Sequence, residues 1–148
     1  MENHYDTKRM AEIITVLLKE FGDDKLVSNM IEHLIRDESD KIVPKWKSEA
    51  AAALEKECKT SLEGLNRRSI YGKSKELSKK INIEHGLPIK KAIERCLKAE
   101  ININNVKKIL EEVRKGLVYI AKTEHGDIER KRKNGGNPYE DIGLLPNL

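Results

Sequence analysis

The residues best suited to chemistry in this chain are cations. Arg67, Arg68, Lys73, Lys75, Lys79, Lys80, Lys90, Lys91, Arg95 and Lys98 fall within 32 residues, opposed over that interval only by Glu76, Glu84 and Glu94. Residues 66–100 carry a net charge of +6, while residues 1–65 carry −4 and residues 101–148 carry +2. Phosphate binding depends on local positive potential rather than on the modest chain total of +4. The first nine of these cations are the candidate nucleic-acid-binding residues. The bland alternative is that Lys-rich helix faces are ordinary solvated surface.

Within that interval, residues 75–97 carry a weak helix-turn-helix pattern. Leu77 followed by Ser78 supplies the apolar-then-small pair of a first helix, Ile81 and Ile83 flank Asn82 at the turn, and Ile89, Ala92 and Ile93 pin a second helix. Lys90, Lys91, Glu94 and Arg95 would then face outward, where a recognition helix meets the major groove. The segment 82–87 is longer than the usual turn, and Glu84 and Glu94 put negative charge on the supposed DNA side. The same residues also fit two antiparallel helices of a bundle, with Pro88 at a favoured first position. Recognition of unpaired bases is disfavoured, because stacking needs aromatic platforms and only Tyr71 lies in the basic stretch.

Catalytic and metal signatures are missing from the sequence. There is no HExxH, GxSxG, GxxxxGK[ST] or GxGxxG motif. His4, His33, His85 and His125 do not pair with one another or with Cys58 and Cys96 at metal-ligand spacing. His33 and Asp37 stand four apart, a spacing typical of a surface polar pair on a helix. The expectation is a non-enzymatic protein without a metal or other cofactor.

The elements that would position these residues read as helices. Met10, Ile13, Ile14, Leu17, Leu18 and Phe21 line one face of a helix from about Asp6, capped by Asp6 or Thr7 and ended by Gly22. Leu26/Val27, Met30/Ile31 and Leu34/Ile35 repeat every four residues on a second helix. A third is predicted from Lys41 to about Asn66, with Pro44 in its first turn and Trp46 as a core anchor. A short helix follows over residues 74–81, then one from Pro88. Its stripe (Ile89, Ala92, Ile93, Cys96, Leu97, Ile101) slips out of phase at Asn102–Asn105, where a break or kink is expected before Val106, Ile109, Leu110, Val113, Leu117, Ile120 and Ala121.

From His125 onward no period persists, and residues 125–148 read as a flexible tail. Arg130–Lys133 is a run of four cations there, and Tyr139, Ile142, Leu144 and Leu145 could form a short docking motif. Length and composition agree with this outline. The 148 residues are 36% charged, 38% hydrophobic and 4% aromatic, which suits one domain with a small core. No apolar run approaches the roughly 18 residues of a membrane span, no signal peptide is visible, and two cysteines are too few for a disulfide scaffold.

The expectation is therefore an all-α, cytoplasmic protein: a compact bundle of five or six helices over residues 1–124, with a flexible basic tail at 125–148. Its expected role is nucleic-acid binding, with duplex DNA the leading partner, through residues 67–98. The alternative is a helical adaptor or assembly subunit that contacts a protein partner or a second copy of itself, using an apolar face freed by the phase slip. No membrane role is expected.

Overall fold

The computed structural model describes residues 7–148, so Asp6 and His4 lie outside the described residues. In chain order these form α1 (Thr7–Phe21), α2 (Lys25–Ser39), β1 (Trp46–Ser48), α3 (Glu49–Glu57), α4 (Arg67–Lys73), α5 (Lys75–Lys80), β2 (Ile81–His85), α6 (Ile89–Lys98) and α7 (Ile103–Lys115). β3 (Leu117–Ala121), a 3-10 turn (Lys122–Glu124), α8 (His125–Lys133) and β4 (Leu144–Pro146) complete the chain. The all-α expectation is thereby overturned. Four strands form one mixed sheet in the order β2-β3-β1-β4.

The chain gathers into two compact units, one taking the residues up to Ile42 with His85–Gly116, the other taking Val43–Glu84 with Leu117–Leu148. The first contains α1, α2, α6 and α7. Met10, Ala11, Ile14 and Leu18 of α1 meet Val27, Ile31 and Ile35 of α2, Ala92, Ile93 and Cys96 of α6, and Val106, Leu110 and Val113 of α7 in one apolar core. Each large aliphatic side chain buried there contributes about 1.5–3 kcal/mol. Period alone left the buried face of α2 undecided between two stripes. The structure buries Val27, Ile31 and Ile35 and turns Leu26, Met30 and Leu34 outward; on α1, Ile13 and Phe21 are exposed as well.

The expected break in phase occurs. α6 ends at Lys98, and Asn102 caps α7 by accepting a hydrogen bond from the amide of Asn105 at 2.9 Å. Asn102 thus prevents one continuous helix. The stripe assigned beyond Val113 does not continue as helix, because Gly116 closes α7 and Leu117–Ala121 is a strand. Gly86 lies against that same closure. Its amide donates to the Gly116 carbonyl at 2.7 Å, and a Cβ at Gly86 would sit 2.9 Å from that oxygen. Only glycine fits such a backbone approach.

The second unit is built on the sheet. β1 runs parallel to β3, with Trp46 opposite Val118 and Lys47 opposite Tyr119, and antiparallel to β4, with Trp46 opposite Pro146 and Ser48 opposite Leu144. The single long helix expected from Lys41 is thus a strand followed by the shorter α3. Ser48 caps α3, accepting from the Ala51 amide at 3.1 Å while its hydroxyl donates to Glu124 Oε1 at 2.6 Å. Trp46, expected in the core, is 42% exposed. All five residues of β3 are buried, and Val118 and Ile120 pack on Ile128 of α8. The Tyr119 hydroxyl donates to the Leu65 carbonyl, and burial raises its pKa.

The tail reading of residues 125–148 is corrected too. α8 is anchored through Ile128, which is fully buried, and β4 extends the sheet. Asn147 is buried beyond β4, its side-chain amide donating to the Pro44 carbonyl at 2.9 Å and the Leu62 carbonyl at 3.1 Å. No helix among the described residues is long and apolar enough to cross a membrane.

Candidate functional site

α4 and α5 carry six of the candidate cations, Arg67, Arg68, Lys73, Lys75, Lys79 and Lys80. Asn66 caps α4 in a reciprocal arrangement. Its side chain accepts from the Ser69 amide at 2.9 Å, and the Ser69 hydroxyl accepts from the Asn66 amide at 2.9 Å. Ser74 ends α4 and begins α5, accepting from the Leu77 amide at 3.1 Å. One buried residue anchors each helix, Ile70 in α4 and Leu77 in α5. Most of the other residues on these two short helices are exposed, with Ser69, Ser78 and Lys80 half-buried. Arg67, Arg68, Tyr71, Lys73, Lys75 and Lys79 are all exposed.

Arg67 also lines a cleft of about 250 Å³, together with Ser78, Asn82, Lys122, Ile70, Ile81 and Ile83. Lys75 Nζ lies 5.6 Å from the centre of the Tyr71 ring, close enough for a cation–π contact. Lys122 belongs to this surface although it is far from residues 67–98 in sequence. It follows β3 in a 3-10 turn, a placement that no helical period could reveal.

The other candidates are divided. Lys80 is occupied by Glu57 at 3.0 Å and Glu76 at 3.3 Å, and these hydrogen bonds raise its pKa. Lys90, Lys91 and Arg95 belong to α6, in the helical unit. Arg95 makes a two-pronged pair with Glu112 at 2.6 and 3.2 Å, which lowers the Glu112 pKa and leaves the guanidinium less available to a ligand. Lys90 and Lys91 are exposed near the start of α6.

The helix-turn-helix pattern does not survive. Its turn is strand β2, and its two helices, α5 and α6, are assigned to different compact units.

A second polar cluster went unrecognised in the sequence. Glu84, near the end of β2, has a side chain only 7% exposed. Its Oε1 lies 2.6 Å from His125 Nδ1, and its Oε2 lies 3.5 Å from Arg132. Arg132 also holds Glu129 at 2.8 Å. Tyr139 stands close by. Burial pushes its pKa up to about 12, Glu84 adds to the rise, and Arg132 opposes it. His125, Glu129 and Arg132 share one face of α8 at spacings of four and three, a signal present in the sequence but hidden by reading the region as tail. Glu84, His125 and Glu129 are the one group among the described residues whose donor atoms lie close enough together to hold a metal ion. Among the described residues, His33 and Asp37 belong to no such group.

Compared with protein-family models, with curated proteins and with solved structures, the chain matches none of them.

Proposed function

We propose that the sheet-bearing unit binds nucleic acid through the α4–α5 face, contacting phosphates in a sequence-independent way. The observation carrying this reading is the exposure of Arg67, Arg68, Lys73, Lys75 and Lys79 on two neighbouring short helices, with Arg67 also lining the cleft that Lys122 lines. Caps at Asn66 and Ser74 hold this set on rigid elements, so little side-chain-bearing backbone needs ordering on binding. Duplex DNA is the proposed partner, because its one negative charge per about 1.7 Å is a dense array for such a surface. The role is binding rather than catalysis, in a cytoplasmic setting that suits two free thiols.

With about six phosphates neutralised, the log–log dependence of affinity on salt has an expected slope near −5. Fluorescence anisotropy with a short labelled duplex at several salt concentrations reads that slope directly. Absence of binding at low salt, or a flat dependence, overturns the reading.

A second reading, an assembly subunit that pairs with another copy of itself, is favoured by a different observation. The apolar face expected to be spare on the last long helix is in fact core, since Val106, Leu110 and Val113 of α7 are buried. The spare face is on α2, where Leu26 is 70% and Met30 50% exposed, with Leu34 on the same side. Pairing of this stripe with its own copy covers both stripes in one step. Light scattering at micromolar concentration is expected to give twice the chain mass, reverting to one chain in the Leu26→Ser/Met30→Ser double variant. A wild-type monomer at 100 µM refutes self-pairing.

A further inference from the structure

We propose that Glu84, His125 and Glu129 form a zinc-binding site. Two independent elements build it, β2 supplying Glu84 and α8 supplying the other two. One donor atom from each residue lies within 4.8 Å of the other two. One imidazole nitrogen and two carboxylate oxygens is a donor set that Zn2+ accepts readily, with a fourth position left open.

Charge balance points the same way. Among the described residues the two carboxylates are both paired to a single permanent cation, Arg132, which balances only one of them. A divalent ion removes that deficit where a water molecule would not. Arg132 need not leave. Each carboxylate has two oxygens, and Arg132 can keep one from each while the other turns to the metal, as outer partners do in built metal sites.

The geometric adjustment is small. A tetrahedral Zn2+ about 2.0–2.1 Å from its ligands separates neighbouring N and O donors by about 3.3 Å. The Glu84–His125 contact of 2.6 Å must therefore open by less than about 1 Å. His125 is 48% exposed, so its ring is free to move by that amount and leaves the open position on the solvent side. Sequence spacing conceals this site because 41 residues separate Glu84 from His125.

The test is calorimetric titration of the metal-free full chain with Zn2+ alone near pH 7, beside a melting curve with and without the ion. The expected result is one ion per chain with a dissociation constant on the order of micromolar, and a raised melting temperature. His125→Ala and Glu129→Gln, both at partly exposed positions, are expected to weaken binding at least about 10-fold. His33→Ala on α2 should leave it unchanged. Binding weaker than about 100 µM overturns the site, as does affinity retained in His125→Ala. If His125→Ala fails to fold, Glu129→Gln gives the same reading alone.

Discussion

Changing Arg67, Arg68, Lys73 and Lys75 together to Gln is expected to weaken DNA binding by at least about 100-fold at 50 mM salt. It should also reduce the salt slope from near −5 to near −2, because Lys79 and Lys122 remain. The wild-type chain should lose about 10³-fold in affinity between 50 and 200 mM salt, and the variant only about 15-fold. The two effects separate charge from shape, since a damaged fold would abolish binding without leaving a shallower slope. Stability should hardly move. All four side chains are exposed, and Ile70 and Leu77, which hold the two helices down, are untouched. Anisotropy titration and a melting curve on the same preparation check both parts. An unchanged slope would mean that other cations carry the binding, Lys90 and Lys91 of α6 being the next to replace.

The second large effect is on stability. Asn147→Ala is expected to cost about 2–4 kcal/mol, which for a chain of this size lowers the melting temperature by about 5–10 °C. The Asn147 amide is the donor for two carbonyls, Pro44 at 2.9 Å and Leu62 at 3.1 Å, and both bonds are buried. Removing it strands two acceptors away from water, a larger penalty than the net worth of the bonds themselves. The backbone amide of Asn147 also donates to the Lys45 carbonyl at 2.8 Å, so the residue ties the end of β4 to the entry into β1. Urea unfolding monitored by circular dichroism measures the loss. A change below about 0.5 kcal/mol, the ordinary value for surface positions, would show that the two side-chain bonds of Asn147 add nothing to the fold.

Much of the helical unit was open to inspection in the sequence. The four-residue repeat of α2, the stripe of α6 and the interruption at Asn102 are local features, set by helical geometry and by the hydrogen-bonding habits of Asn. The cationic interval was likewise plain from composition, and its part on α4 and α5 proved to be surface. These properties depend on residues a few positions apart, and the chain carries them wherever it folds.

The sheet and the division of the site are of another kind. β3 is an unbroken apolar run, Leu117–Ala121, whose lack of period fits a buried helix as well as a buried strand. β1 and β4 have three residues each, too few for alternation to register. They exist because Trp46 stands opposite Val118 on one side and Pro146 on the other, register partners about 70 and 100 residues away. Pairing over such distances decided that Lys122 joins Arg67 at a cleft, that Glu84 meets His125, and that Lys90, Lys91 and Arg95 belong to the other unit. Side-chain type and helical spacing are properties of the chain itself. Which strand edges satisfy one another's backbone groups is settled only when the whole molecule closes, since every buried amide and carbonyl must then find its partner.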